Sequence, residues 1–220
     1  ALLLSKRFGA SLTEFLAAVY LAALQELFYA LPPALRLAER PILALEVPVN
    51  LRRLFPSKTM RNFSLYVLPS IDTRLGFYEF EEIATLVHLF MRGAVRPKSM
   101  GGQMPRNAMG GRSIFVRALP LAVKDIAARL VYKGMGENLM SGSLSNLGEV
   151  KLPEALSALV EDFVFIPAPS RVCRTKAACL SYKDDLFLSF GSLAARPELE
   201  RLFFSRLALM GLPVSVSTNM

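Results

Sequence analysis

The sequence predicts an α+β sandwich, a mixed β-sheet with helices packed on it. Helix-period and strand-period segments both recur along the chain, and they follow one another without strict alternation. The 220 residues are 53% hydrophobic and 20% charged, enough apolar material for one large domain or two small ones and too much for a disordered chain. No internal repeat divides it, and no linker is longer than one Gly-rich segment.

Ser11 to Tyr29 reads as the first helix. Ser11 is a candidate N-cap with Glu14 three residues on, the capping-box spacing. Leu12, Phe15, Leu16, Val19, Leu24, Leu27 and Phe28 form a broad apolar face, and Pro32-Pro33 stops the element. This is the longest apolar stretch. It carries Glu14, Gln25 and Glu26, costly at mid-bilayer, so it reads as a buried amphipathic helix and not as a transmembrane segment.

Ile42 to Val49 reads as a strand between Pro41 and Pro48, and Phe63 to Pro69 as a second with period-two alternation. Phe80 to Arg92 reads as a helix opened by Glu79, Glu81 and Glu82, which suit the positive helix start. Gly93 to Arg112 holds five glycines and two prolines and is expected to be a mobile loop or a frayed helix. Ile114 to Tyr132 is helical again, bent near its start by Pro120. Ser143 to Leu147 and Phe163 to Pro167 read as short strands. Ala177 to Tyr182 and Leu186 to Phe190 read as a hairpin turning at Lys183-Asp184-Asp185. Glu198 to Met210 is a closing helix, and Pro213 to Ser217 a last edge strand. The chain opens Ala1-Leu2-Leu3-Leu4 inside an apolar run, which reads as a piece of something longer.

The formal charge is +8. Basic chains attract nucleic acid, anionic lipid or phosphorylated ligands. The one loose cluster, Arg92, Arg96, Lys98, Arg106 and Arg112, has no interleaved aromatics, so no nucleic-acid partner is expected. Cys173 and Cys179 are the two cysteines, with no CxxC, and His88 is the single histidine. A zinc site is not expected; two buried thiols in a reducing cytoplasm are. No Gly-rich phosphate loop occurs. His88 sits in a helical run, and no nucleophile has a local signature around it. A Ser–His–Asp triad would rest on His88 alone.

The segment Ser143-Leu144-Ser145-Asn146-Leu147-Gly148 carries the most chemistry. A strand ending in Ser-Asn, then Leu-Gly, places a hydroxyl and an amide where the chain leaves the sheet, and Gly148 permits a tight turn or close ligand approach. Such groups can donate to an oxyanion or to a pantetheine amide. The same residues also suit a simple Asx-type turn. Arg52 and Arg53 are expected to brace the loop running to Asn62.

Ser145-Asn146-Leu147-Gly148 resembles the Ser-Asn-Leu-Gly segment of dihydrolipoamide acyltransferase catalytic domains. Val47 to Pro56, with Arg61-Asn62-Phe63, is similar to the "strand, Val-Asx-x-Arg, Pro, then Gly-Asn" segment of two-lobed acyltransferases. Along most of its length, including Glu200-Arg201-Leu202-Phe203-Phe204, the chain resembles the C-terminal half of the bacterial alcohol acetyltransferases, members of the condensation superfamily. The resemblance implies a chloramphenicol acetyltransferase-like fold and a parent that transfers an acyl group from acyl-CoA, a co-substrate and not a bound cofactor, to an alcohol or thiol acceptor. It implies a channel lined by Ser145, Asn146 and Gly148.

In single-lobed relatives the penultimate strand ends in Leu-Ser-Tyr-Asp-His-x-x-x-Asp-Gly, whose His is the general base. Here the segment is Leu188-Ser189-Phe190-Gly191-Ser192-Leu193-Ala194-Ala195-Arg196-Pro197. Ser192 takes the His position and Arg196 the Asp position. A serine hydroxyl and a permanently protonated guanidinium cannot take a proton at neutral pH. The resemblance therefore implies a lobe that kept the scaffold and lost the base, with no catalytic residue of its own and a His-His-x-x-x-Asp motif on an N-terminal lobe of the same protein. Arg96, Lys98 and Arg106 would contact CoA phosphates. Without its partner lobe the chain would dimerise. Two other readings stay open: a non-catalytic scaffold lobe for a carrier or partner protein, and a peripheral membrane or anion-binding protein.

Overall fold

A computed structural model of the chain describes residues 1–112, 120–135 and 139–219. Its helices are α1 (Leu2–Arg7), α2 (Leu12–Ala30), α3 (Pro33–Ala38), α4 (Phe80–Ala94), α5 (Pro97–Arg112), α6 (Leu121–Met135), α7 (Glu154–Ser157) and α8 (Glu198–Leu209). Its strands are β1 (Ile42–Asn50), β2 (Ser64–Val67), β3 (Ser70–Asp72), β4 (Gly142–Glu149), β5 (Thr175–Tyr182) and β6 (Asp185–Ser192). The sheet runs β2-β1-β4-β5-β6, with β3 on the other half of β1. β1 with β4 and β4 with β5 are parallel; the remaining pairs are antiparallel. This is the expected α+β fold with a mixed sheet and packed helices.

The α2 helix starts as its sequence dictates. The Ser11 hydroxyl accepts the Glu14 N–H at 3.3 Å, and Glu14 Oε2 accepts the Ser11 N–H at 2.7 Å. The helix is more than amphipathic. Every residue from Phe15 to Ala23 is at most 2% exposed, because α2 packs on β1 and against α4 and α8. It is the one described helix long and apolar enough to cross a membrane, and 56% of its apolar window is buried inside the protein. Each large apolar side chain so buried contributes about 1.5–3 kcal/mol.

Tyr20 fixes how close α2 comes to the sheet. Its hydroxyl donates to the Thr175 carbonyl at 2.9 Å, and its ring sits with Phe190 and Phe203 in one aromatic cluster. A Cβ on Gly142 would lie 2.5 Å from that ring. Glycine at the head of β4 is therefore what lets the helix seat.

Several expected elements differ. The Phe63–Pro69 strand is broken: β2 ends at Val67 and pairing resumes at Ser70, because Pro69 has no N–H to give and instead accepts from Leu45 N at 3.0 Å. Of the segment expected as a mobile loop or a frayed helix, Pro97–Arg112 is helical. Pro97 begins the helix, where its missing N–H costs nothing. Met100 is fully buried, and a Cβ on Gly101 would lie 3.6 Å from the Phe55 ring, so tertiary anchoring overrides the glycine content. Pro120 does not bend a helix from within; it immediately precedes α6 and accepts from Val123 N and Lys124 N. The start expected at Ile114 lies outside the described residues.

Residues 163–167 are not a strand. Pro167 and Pro169 deny them a continuous donor row, and they pass over the end of β6, where a Cβ on Gly191 would strike the Pro167 carbonyl. Residues 213–217 are likewise not a strand but an exposed tail. The hairpin is present and longer than expected, with Tyr182 paired to Asp185 across the two-residue turn Lys183-Asp184; Lys183 takes the positive φ of 53° that such turns require.

Candidate functional site

The residues singled out by sequence fall at two opposite ends of the sheet. Ser145, Asn146 and Gly148 lie at the C-terminal end of β4. Ser192 lies at the end of β6, which runs the other way. Asn146 pairs across β5 with Cys179, whereas Ser192 pairs with Thr175. Four residues of strand separate the two rows, about 13 Å. The positions aligned with the family's His and Asp therefore do not meet the Ser-Asn-Leu-Gly segment within this chain.

At the β4 end, Asn146 is held from both sides. Its Nδ2 donates to the Thr13 hydroxyl at 2.8 Å, and its Oδ1 accepts the Gly148 N–H at 2.8 Å. Gly148 adopts φ 81°, the left-handed region that favours glycine, and the pairing of β4 with β5 shifts register between Asn146 and Glu149. The Asx-type turn of the sequence reading is present, and the same amide also ties β4 to the first turn of α2. Ser145 is half-buried beside it.

Next along α2, Glu14 Oε2 lies 3.1 Å from His88 Nδ1 on α4. The same oxygen caps Ser11. A carboxylate thus holds the imidazole, which the sequence did not foretell. Thr13 was not foreseen either; its only signal is its place two residues after the N-cap.

Arg52 and Arg53 diverge. Arg52 Nη2 donates to the carbonyls of Thr59 at 2.9 Å and Arg61 at 2.7 Å, and Asn50 Oδ1 accepts the Arg52 N–H. That is the expected brace. Arg53 takes no part in it. Its Nη2 lies 3.9 Å from where a Gly148 Cβ would stand.

At the opposite end, Ser192 Oγ shares a hydrogen bond with Thr175 Oγ1 at 3.2 Å and accepts the Ala194 N–H. Arg196 is exposed and lines a depression of about 300 Å³ with Ser141, Arg174, Thr175, Glu198 and Glu200. A second depression, about 480 Å³, lies at the C-terminal end of α2 between α3 and Thr73-Arg74. Neither is lined by Asn146 or His88.

Of the basic residues expected to meet phosphate, Arg96 donates to the Arg92 carbonyl at 2.7 Å and Lys98 is exposed on the first turn of α5. The Arg106 side chain lies outside the described residues. Cys173 and Cys179 are buried and unbridged. Cys173 precedes β5, so no shared strand face relates the two. Burial pushes the Cys179 thiol up to about 12.

The mixed sheet with packed helices is a fold that solved structures share, and the likeness to them is one of fold. The comparisons with solved structures supply its neighbours. A nonribosomal peptide synthetase, FmoA3, is similar over 96% of this chain at 16% identity and a TM-score of 0.53, and the chain spans about a fifth (21%) of that protein's length. The wax ester synthase/diacylglycerol acyltransferase from Marinobacter aquaeolei VT8 aligns over 96% of this chain and 46% of its own, at 18% identity and a TM-score of 0.48. A structure from the enacyloxin polyketide synthase, concerned with condensation domain-mediated chain release, aligns over 99% of this chain and 40% of its own, at 12% identity and a TM-score of 0.48. No family model and no curated protein matches the sequence.

Proposed function

We propose that this chain is the C-terminal lobe of a two-lobed, CoA-dependent O-acyltransferase of the cytoplasm, and that its partner lobe carries the general base. The observation that supports this reading is the two-sided anchoring of Asn146 at the end of β4, with Ser192 and Arg196 turned to the far end of the sheet. The lobe offers a fixed wall of hydroxyl, amide and backbone, and the two aligned positions at the end of β6, Ser192 and Arg196, offer no proton acceptor.

In the assembled enzyme the acceptor O–H or S–H gives its proton to a histidine of the other lobe. The oxygen or sulfur forms a bond to the thioester carbonyl, the C–S bond to CoA breaks, and the CoA sulfur leaves with that proton. Ser145, Asn146 and the turn at Gly148 line the channel through which the donor's arm runs.

Acetyl-CoA turnover tests the reading. The chain alone is expected to be inactive, and the protein with a His-His-x-x-x-Asp lobe active. Turnover by the chain alone, above background, would defeat the assignment of the base to another lobe.

A further inference from the structure

Arg52 and Arg53 are adjacent cations with opposite fates. Arg52 gives its Nη2 to two carbonyls. Among the described residues, Arg53 has no hydrogen-bond or ion-pair partner; it is exposed, yet directed at the backbone of Gly148. The carboxylate nearest that turn in sequence, Glu149, is engaged by Lys151 at 3.2 Å. Among the described residues nothing neutralises the guanidinium.

Its surroundings add positive charge. Two residues beyond Arg53, the Phe55 ring faces Gly101 of α5, 3.6 Å from where a Cβ on that glycine would stand. This brings the first turn of α5, with Lys98 exposed and Arg96 just before it, against the same loop. An arginine presents a planar fork of donors that matches phosphate oxygens two at a time, which a lysine cannot do. A glycine with no Cβ leaves the approach beside it open.

We infer that Arg53 is an anion-recognition residue at the Gly148 turn and that it takes a phosphate group. Resting on the acyl-transfer reading, the phosphate is that of the donor's pantetheine arm. The arm arrives either on CoA or on a carrier protein; both bear a phosphate at this point.

The test is calorimetric titration of the chain with pantetheine, 4′-phosphopantetheine, CoA and inorganic pyrophosphate. The variants are Arg53→Gln, and Lys58→Gln as a control for an equal loss of charge. Because Arg53 has no internal partner, Arg53→Gln is expected to keep the wild-type melting temperature. The wild-type chain is expected to bind 4′-phosphopantetheine about tenfold more tightly than pantetheine, about 1.4 kcal/mol. Arg53→Gln is expected to erase that difference and Lys58→Gln to keep it. A further gain for CoA over 4′-phosphopantetheine assigns the extra phosphates to the α5 cations and the arm to free CoA; equal affinity assigns it to a carrier. No phosphate increment in the wild type, or an increment that survives Arg53→Gln, overturns the inference whatever acetyl-CoA turnover shows. Arg53-dependent pyrophosphate binding in a protein without turnover keeps the phosphate site and removes acyl transfer.

Discussion

Asn146 and Thr13 are joined by a hydrogen bond of 2.8 Å between residues 133 apart in sequence. It couples the end of β4 to the first turn of α2. Because the Thr13 oxygen takes the amide N–H, the orientation of the Asn146 side chain is fixed with its carbonyl toward Gly148. Thr13→Val removes the oxygen and keeps the shape. A net contribution of about 1 kcal/mol is lost, read as a lower urea midpoint with unchanged slope. Thr13→Ser is expected to stay near wild type. Equal losses for both would place the effect in packing rather than in the hydroxyl.

Gly142 and Tyr20 are similarly coupled. Gly142→Ala puts a methyl group 2.5 Å from a ring that is fully buried and cannot move without breaking its bond to Thr175. Overpacking of this kind costs about 1–3 kcal/mol. Tyr20→Phe leaves the Thr175 carbonyl without its donor at a similar cost, about 1–3 kcal/mol. The double variant is expected to fall short of the sum, since both act on one contact. Thermal or urea unfolding of the three variants checks this; full additivity would mean the two residues act separately.

The buried thiol makes stability fall in alkali. Cys179 in the folded chain keeps its proton to about 12, whereas an unfolded thiol loses it near 8.5. Between those values the unfolded state binds fewer protons, so stability declines as pH rises. Burial also raises the Tyr20 phenol, which adds in the same direction above about pH 10. The urea midpoint is expected to drop from pH 8 to pH 10.5, and to drop less in Cys179→Ala. Native Cys179 should resist iodoacetamide and react on unfolding. A flat profile in wild type would mean that the thiol ionises in place.

Much of the scaffold was legible in the residues. Ser11 with Glu14, the apolar run after it, Ile42–Val49, the Ser143–Leu147 strand and the hairpin at Lys183-Asp184 each carry local signals that the fold obeys. The misses share a cause. Gly93–Arg112 reads by composition as a loop or a frayed helix, and burial of Met100 settles Pro97–Arg112 as helix. Residues 163–167 read as strand, and the prolines at 167 and 169 deny the ladder its donors. At the site, Asn146 and Gly148 were visible because turn chemistry is local. Thr13, the Glu14–His88 contact and the parting of Arg53 from Arg52 were not, because each depends on which distant segment arrives beside it.

Exposed apolar side chains from Leu156 to Ile166 are expected to make the isolated chain pair. Leu159 is 80% exposed, Val164 68% and Ile166 62%, and they lie within one segment. Apolar patches of this kind mark protein–protein contact surfaces. Light scattering of the chain alone is expected to give a dimer, shifted toward monomer by Leu159→Lys with Val164→Lys. A monodisperse wild-type monomer would count against an uncovered lobe interface here.

His88 offers the one internal rival to a base on another lobe. An imidazole whose Nδ1 meets a carboxylate is the arrangement that orients a general base, and His88 has it through Glu14 at 3.1 Å. Two features argue that the contact is structural. The same Glu14 oxygen accepts the Ser11 N–H that starts α2, and His88 lines neither of the two depressions of about 300 and 480 Å³. The imidazole then serves to pin α4 to the start of α2, a partly exposed contact worth less than about 1 kcal/mol. His88→Ala in the two-lobed protein is expected to lower the melting temperature slightly and to leave kcat for acetyl transfer within about twofold. Loss of a true general base removes about 10²–10⁴-fold. A drop of that size in a variant that remains folded would assign the base to this chain and make Glu14 its orienting partner.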